Sequence, residues 1–317
     1  MKVVITGGAG FIGSHLCQRF IADGVTVVCI DNFCTSRKSN IAELLKHRNF
    51  SLLIKDVIQP FTDYELIWLA GVNVVIHLAS PASPEQYRRL DLETALVNST
   101  GTKNMLDLAL KEGARFVLAS TSEIYGDPEE HPQSEKYWGH VNPVGPRSHY
   151  DESKRFAEML TMLYHRKYGL DTRIARIFNT YGPGMQAEDG RVIPNFITQA
   201  LQGKSLTIYG DGSQTRSFCY IDDLIDGLYR LTMLPNLGGT IVNLGNQDEY
   251  EIKEIAALIT SLCSSPASYT YCKLPEDDPV RRRPDITKAK ELLDWAPQVP
   301  LVEGLARTIE HFSQTGS

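Results

Sequence analysis

No apolar run in the 317-residue sequence approaches the roughly 20 residues that a membrane-spanning helix needs. The opening Met1-Lys2-Val3-Val4-Ile5-Thr6 meets glycine at once and leaves no room for the apolar region and cleavage site of a signal peptide. None of the six cysteines (Cys17, Cys29, Cys34, Cys219, Cys263, Cys272) forms a C-x-x-C pair or a zinc-ligand spacing. No metal site is therefore expected, and the thiols read as reduced, in a soluble cytoplasmic protein. An excess of basic charge is also missing. Lys plus Arg total 32 against 38 Asp plus Glu, and the net charge of -6 removes any general electrostatic case for nucleic-acid binding. There is no internal repeat, no low-complexity segment and no charge block beyond Arg281-Arg282-Arg283.

With 42% hydrophobic and 22% charged residues the chain has the composition of a folded protein, long enough for two domains or one large α/β unit. Short β-branched runs at 3–6, 25–30, 74–78, 116–120 and 173–178 are apolar enough to be strands buried on both faces. Between them, 12–22, 94–111 and 151–168 carry apolar residues at three-to-four spacing and predict crossover helices. The pattern is a repeatedly wound βαβ unit, an α/β doubly wound parallel sheet of the Rossmann type. After Asn179 the texture turns to Gly, Pro and short mixed segments, as if the chain leaves the sheet to build a smaller mixed domain. A helix over 221–234 and an apolar strand over 240–244 then bring it back, and 302–312 reads as a closing helix.

Gly7-Gly8-Ala9-Gly10-Phe11-Ile12-Gly13 follows the first strand and opens the first helix. Gly7, Gly10 and Gly13 there suit a tight turn, close backbone approach to a pyrophosphate and a helix N-terminus with unpaired N–H groups. Asp31 ends the second strand, 18 residues after Gly13, where a carboxylate accepts from both ribose hydroxyls and repels a 2′-phosphate. The cofactor reading is therefore NAD, although Arg37 and Lys38 lie nearby in sequence. Asp56 is either an adenine ligand or a solvated loop residue; Phe11, Ile12, Asn32, Val57 and Leu78 would complete the lining.

Tyr150-Asp151-Glu152-Ser153-Lys154 places a phenol and an ammonium four residues apart on one helix face. Thr121 adds a hydroxyl beyond the carboxyl end of the strand 116–120, where sheet enzymes place ligands. The three read as a dehydrogenase triad, in which Lys154 and an oxidised nicotinamide favour the Tyr150 phenolate.

At these residues the chain resembles the extended short-chain dehydrogenase/reductases. His77-Leu78-Ala79-Ser80-Pro81-Ala82-Ser83-Pro84, Ser120-Thr121-Ser122-Glu123-Ile124-Tyr125-Gly126-Asp127-Pro128, Arg176-Ile177-Phe178-Asn179-Thr180-Tyr181-Gly182-Pro183, Asp189-Gly190-Arg191-Val192, the run Tyr209 to Phe218, and Asp277-Asp278-Pro279 to Asp285 are similar to the UDP-glucuronic acid decarboxylases (UDP-xylose synthases). The resemblance covers nearly the whole chain and implies tightly bound NAD and a homodimer. It further implies transient oxidation at carbon four of the sugar, loss of carbon dioxide from the β-keto acid, and re-reduction to UDP-xylose or release of a 4-keto pentose. By the same resemblance residues 1–178 and 217–246 would bind NAD, and 179–216 and 247–317 the nucleotide sugar.

The resemblance implies that Tyr150 and Thr121 contact the carbon-four oxygen, that Lys154 orients Tyr150, and that Arg216 and Arg282 face the diphosphate and the sugar. Arg282 thereby joins Thr121, Ser122, Glu123, Tyr150 and Lys154 as a catalytic candidate. Arg191 and Gln214 lie in the similar runs and count as substrate ligands. Asn179 is a phosphate or sugar ligand or a strand-end cap, Tyr87 a group near the sugar carboxylate or packing, and Tyr209 a uracil platform or core. His77 reads as core.

The nearest rival, a sugar-nucleotide 4,6-dehydratase, carries an Asp-Glu pair after the threonine, with the Asp as acid for the leaving hydroxyl and the Glu as base at carbon five. Here that position is Ser122, a poor general acid, while Glu123 remains for proton traffic near carbon five. A carbon-four epimerase needs only the triad, and a catalytically silent sensor of NAD or nucleotide sugars would need none of these groups. The sequence departs from the family pattern at Gly184, where an arginine is usual, at His149 and Ser153, which replace Cys and Gly, and over 88–93. These departures leave open the exact acid substrate and the base, uracil or thymine.

Overall fold

A computed structural model describes residues 1–266, 268–274 and 281–315; Asp277-Asp278-Pro279 of the similar runs lie outside them. The chain begins β1 (Lys2–Thr6), α1 (Phe11–Ala22), β2 (Thr26–Asp31), β3 (Phe50–Ile54), α2 (Asp63–Leu69) and β4 (Val74–His77). It continues through α3 (Pro84–Arg89), α4 (Asp91–Leu96), α5 (Thr102–Glu112), β5 (Arg115–Thr121), α6 (Ser148–Tyr168) and β6 (Thr172–Ile177). The second half is β7 (Thr180–Tyr181), α7 (Val192–Leu201), β8 (Leu206–Tyr209), β9 (Thr215–Ser217), β10 (Cys219–Tyr220), α8 (Ile221–Met233) and β11 (Thr240–Leu244). It ends with β12 (Glu249–Glu251), α9 (Ile252–Leu262), β13 (Tyr269–Cys272), β14 (Arg281–Arg282), α10 (Thr287–Leu293) and α11 (Leu301–Thr315).

Seven strands form one sheet in the order β11-β6-β5-β4-β1-β2-β3, all neighbours parallel. Strand alternation splits its core into two. Val3 and Ile5 pack on one face with Leu16 and Phe20 of α1 and Leu224 of α8, while Val4 packs on the other with Leu106 of α5 and Ala157 of α6. Chain direction across the sheet reverses between β1 and β4, so the cleft for a ligand opens at the carboxyl ends of those strands. The later chain adds three small sheets, β10-β7, β12-β9-β14 and β13-β8, with α7, α9 and α11 packed together beside them.

The single helix expected over 94–111 is interrupted. Residues Val97–Gly101 form a π-helical turn between α4 and α5. Ser99 Oγ donates to Ala95 O (2.7 Å) and Thr102 Oγ1 to Asn98 O (2.8 Å), so side chains compete for the helix carbonyls at this point. Space is also short there, since a Cβ on Gly101 would lie 3.1 Å from Val57 Cγ2.

Beneath the cleft, α6 is tied to the sheet by buried charge. Arg176 of β6 gives Nε and Nη2 to the two oxygens of Glu158 (3.0 and 2.8 Å), and Ser120 Oγ of β5 shares Glu158 Oε1 (2.5 Å). Arg176 Nη1 also donates to Tyr125 OH (2.9 Å), which donates to Asn243 Oδ1 of β11 (2.8 Å). Replacing Arg176 with Met leaves the Glu158 carboxylate buried without its cation and is expected to lower unfolding free energy by about 3 kcal/mol. Urea denaturation of Arg176→Met, Glu158→Leu and the double variant checks this: the double loss should be smaller than the sum of the singles. Strict additivity would show that the pair is not coupled.

Candidate active site

The turn after β1 is built for backbone approach. Gly7 has φ +67°, and a Cβ on Gly13 would lie 2.1 Å from Gly7 O, so no side chain fits at either position. Gly10 precedes α1 without a side-chain cap, so the first turn of the helix turns its amides to the cleft as an anion cradle. At the end of β2, Asp31 Oδ2 accepts from Ala9 N (2.9 Å), and Oδ1 from Phe33 N (2.9 Å) and Ser36 Oγ (2.7 Å). These bonds fix the carboxylate's plane and leave accepting capacity on Oδ2. Asp56 is held by Ile58 N (2.9 Å) and by Asn32 Nδ2 (3.1 Å). The glycine cradle, the uncapped amides and the carboxylate at the strand end suit a dinucleotide with free ribose hydroxyls.

One cleft of about 540 Å³ runs from this cradle to the later chain, and every candidate named from sequence lines it. Phe11, Ile12, Val57 and Leu78 wall the cradle end; Thr121, Ser122, Glu123, Tyr150 and Lys154 stand at its middle; Asn179, Arg191, Tyr209, Gln214, Arg216 and Arg282 form the far wall.

Thr121 is the last residue of β5, and its Oγ1 accepts from Glu123 N (3.2 Å) to start a short 3-10 turn. Tyr150 and Lys154 are buried on the same face of α6. Burial pushes the Tyr150 phenol well above its ordinary value; a hydrogen bond from Thr121 acts in the opposite sense, and Glu123, Tyr87 and Asp151 push it up further. Burial pulls Lys154 down to about 8, against the opposing pull of Glu158. Its Nζ donates to Ala119 O (3.0 Å). Tyr87 stacks on Tyr150, ring centroids 4.9 Å apart and 12° from parallel, and its buried hydroxyl has no hydrogen-bond partner among the described residues.

Glu123 sits between two guanidinium groups. Arg282 Nη1 donates to Oε1 (3.1 Å), and Arg147 Nη2 makes a close bond to Oε2. Burial alone would raise the Glu123 carboxyl, but Arg282, Arg147 and Arg216 outweigh it and hold the group below its ordinary value. Arg216 and Arg282 are brought side by side by the β9-β14 pairing, in which they are register partners. Arg191 is clamped on Asp189 (Nε to Oδ1 2.5 Å, Nη2 to Oδ2 2.9 Å). Gln214 Nε2 donates to Tyr209 O (2.7 Å), leaving the Tyr209 ring 43% exposed at the cleft rim.

Arg147 was not foreseen from sequence. It precedes the predicted helix and meets Glu123 only through the tertiary fold, 24 residues away. The departures from the family pattern lie close by. His149 Nε2 pairs with Tyr87 O at 3.0 Å and its ring meets the Tyr87 ring at 65°. Ser153 Oγ donates to Tyr150 O (3.0 Å) and accepts from Asn98 Nδ2 (3.0 Å), joining the π-turn to the tyrosine helix. Gly184 adopts φ +87°, and a Cβ there would meet His15 Nε2 at 3.5 Å and Phe11 Cδ2 at 3.9 Å, ordinary contact distances. His77 is buried, with Nδ1 2.8 Å from Thr6 Oγ1.

A doubly wound sheet with a glycine cradle at its switch point and a threonine, tyrosine and lysine around the same cleft defines a short-chain dehydrogenase/reductase. The chain belongs to the NAD dependent epimerase/dehydratase family, whose model it matches over residues 3–245. Within that family it is 52% identical over 313 residues to UDP-glucuronic acid decarboxylase 1 of Danio rerio, covering 99% of this chain and 73% of that protein. It is 50% identical over 314 residues to UDP-glucuronic acid decarboxylase 2 of Arabidopsis thaliana, covering 99% and 68%. Among solved structures it is similar to UDP-glucuronic acid 4-epimerase from Bacillus cereus in complex with UDP-glucuronic acid and NAD, with TM-score 0.90, 30% identity and coverage of 99% and 100%. A dTDP-glucose 4,6-dehydratase from Streptomyces venezuelae superposes equally well, with TM-score 0.90, 28% identity and coverage of 99% and 97%.

Because a Cβ at residue 13 collides with Gly7 O, Gly13→Ala is expected to lose NAD affinity at least a hundredfold. Purified wild-type and variant protein compared for NAD content and for NAD-induced rise in Tm check this. Equal NAD occupancy would remove Gly13 from the cofactor cradle.

Proposed function

We propose that the protein is an NAD-dependent UDP-glucuronate decarboxylase that oxidises carbon four, releases carbon dioxide from the resulting β-keto acid and reduces the product to UDP-xylose. The observation that carries this reading is Glu123, held ionised by Arg147 and Arg282 beside Ser122 and the Thr121–Tyr150–Lys154 group. Gly7, Gly10 and Gly13 hold the cofactor pyrophosphate, Asp31 its ribose, and Asn32, Asp56 and Val57 flank its adenine. NAD, when bound, supplies the oxidant for carbon four and the reductant for the last step.

Tyr150, as phenolate, takes the carbon-four hydroxyl proton, and Lys154 beneath it offsets the phenolate charge. The ketone stands β to the carbon-five carboxylate. When the bond to carbon six breaks, its electron pair moves to the carbon-four oxygen, where the Tyr150 and Thr121 hydroxyls donate to the enolate. Carbon five then takes a proton from a water in the cleft, which solvent reprotonates, so the net reaction consumes one proton and releases one carbon dioxide. An ionised Glu123 supports this step as an acceptor that orders the proton donor at carbon five; it has no proton to give to a leaving hydroxyl. Ser122 supports the same choice, since a serine hydroxyl is a weak acid for water loss. Arg216 and Arg191 hold the diphosphate, Arg282 and Tyr87 the sugar end, and Asn179, Gln214 and Tyr209 the remaining nucleotide sugar.

The reading divides the chain into a NAD-binding unit, 1–178 with 217–246, and a nucleotide-sugar unit, 179–216 with 247–317. It also makes the protein a cytoplasmic homodimer. Phe156, Met159 and Leu163 of α6 and Leu92 and Leu96 of α4 are exposed as an apolar face, which a second copy of the chain would cover. No helix among the described residues is long and apolar enough to cross a membrane, and all six thiols are unbridged.

Incubation with UDP-glucuronate and NAD, followed by proton NMR of the sugar and trapping of carbon dioxide, tests the reaction. UDP-xylose is expected. A UDP-4-keto pentose would mean that the final reduction fails, and turnover of a nucleotide hexose instead would move the chain to the dehydratase or epimerase branch. Tyr150→Phe is expected to lower kcat by at least a hundredfold while retaining NAD; unchanged turnover would sink the role given to Tyr150.

A further inference from the structure

The two guanidinium groups on Glu123 are not equivalent. Arg282 is anchored independently, with Nη2 donating to Gly126 O (2.8 Å). Arg147, the residue before α6, reaches Glu123 Oε2 and at the same time faces Asp151 one helical turn on, Nε to Oδ2 3.9 Å. Asp151 is 7% exposed, and its Oδ1 accepts no hydrogen bond. The first turn of a helix favours an acid, but a carboxylate in that position is costly to bury. Its ion-pair contact is with the arginine that holds Glu123.

The charged and titratable groups around the pair come from several elements. Glu123 is faced by Arg282, Arg147 and Arg216, and Asp151 by Glu123, Arg147, Arg282 and Glu152. The Tyr87 and Tyr150 phenols border both carboxylates. Arg147 acts on Glu123 as a cation and lowers its carboxyl, whereas burial and the Glu123 charge push Asp151 up to about 7.

We propose that Arg147, braced by Asp151, is a positioning residue that aims the Glu123 carboxylate into the cleft and keeps it ionised there. The proposal rests on the reading that an ionised Glu123 serves the reaction at carbon five. Arg147 reaches the reacting atoms only through Glu123, so its loss changes how and at what pH the carboxylate works.

The experiment is the pH profile of kcat for Arg147→Met, Arg147→Lys and Asp151→Asn, with bound NAD and Tm recorded for each. An ionised Glu123 is lost as pH falls through its pKa, so the acid limb of the profile reports that group. Arg147→Met removes a neighbouring cation and is expected to move the acid limb up by about one pH unit and to lower neutral-pH kcat at least tenfold. Arg147→Lys keeps the charge without the planar fork, so the limb should stay near its wild-type position while kcat falls. Burial and the Glu123 charge push Asp151 up to about 7, so over the acid limb it is already neutral, and Asp151→Asn should leave the limb at the wild-type pH. An Arg147→Met limb that stays at the wild-type pH would overturn the proposal, since a purely structural role lowers kcat and Tm without shifting the limb. If Arg147→Met does not fold, Arg147→Gln removes the same charge, and a limb at the wild-type pH in that variant overturns it alone. The profiles are taken on whichever nucleotide sugar the wild type turns over. A failure of the decarboxylase reading therefore shows in the wild-type product, separately from the limb shifts.

Discussion

The ion pair between Arg176 and Glu158 determines where the carboxyl end of β5 lies, and the cleft is assembled around that end. Glu158 projects from α6, accepts both arms of the β6 guanidinium and also takes the hydroxyl of Ser120, the residue before Thr121. Tyr125, at the far side of the turn that carries Ser122 and Glu123, is drawn into the same network and joined to β11. Tyr150 and Lys154 lie on the helix that Glu158 anchors, two turns and one turn before it. One buried carboxylate therefore holds the threonine strand and the tyrosine helix in a fixed relation, with less freedom than apolar contacts would leave.

Above that network the charges are arranged against one another. Lys154 is buried with its ammonium drawn down to about 8, so the fold favours its neutral form. The unfolded chain binds the extra proton between about pH 8 and the ordinary lysine value, and in that window this residue's contribution to stability rises with pH. Tyr150 is displaced upward by its own burial and by the Glu123 carboxylate. Were Tyr150 to ionise near the Lys154 ammonium, as the proposed reaction requires, each charge would offset the other's cost of burial. Glu123 belongs to a different balance: three arginines face it, and it stays ionised while the tyrosine beside it does not.

Much of this was legible in the sequence, where local periodicity and glycine spacing determine the outcome. The strands of the parallel sheet are short β-branched runs because both faces are covered, and Gly7, Gly10 and Gly13 mark a turn that admits no Cβ. Asp31 follows from the strand length, and the tyrosine and lysine from helical spacing. What the sequence hid depends on tertiary approach. Arg147 lies in a turn with no periodic signal, and its partner is on another element. Asp151 reads as an ordinary first-turn acid of α6, and only the fold buries it beside Glu123. The π-helical turn at Val97–Gly101 was invisible because its residues suit an α-helix by spacing; hydroxyl bonds to the helix carbonyls and the nearby Val57 side chain decide otherwise.

The scaffold does not choose the reaction, since an epimerase and a dehydratase superpose on it equally well. The choice falls to the groups next to Thr121. Water loss from carbon six needs a proton donor for the hydroxyl, and the chain offers Ser122, which is buried and a weak acid, and Glu123, which is kept charged by Arg147 and Arg282. Decarboxylation needs no such donor, because its leaving group departs neutral and its electron pair is taken up by the carbon-four oxygen. Epimerisation also needs no donor, but it gives no use to a carboxylate held by two arginines two residues after Thr121. An acceptor held ionised suits proton traffic at carbon five, which decarboxylation and water loss share, so the Glu123 clamp separates decarboxylation from epimerisation, and Ser122, with no proton for a leaving hydroxyl, separates it from dehydration.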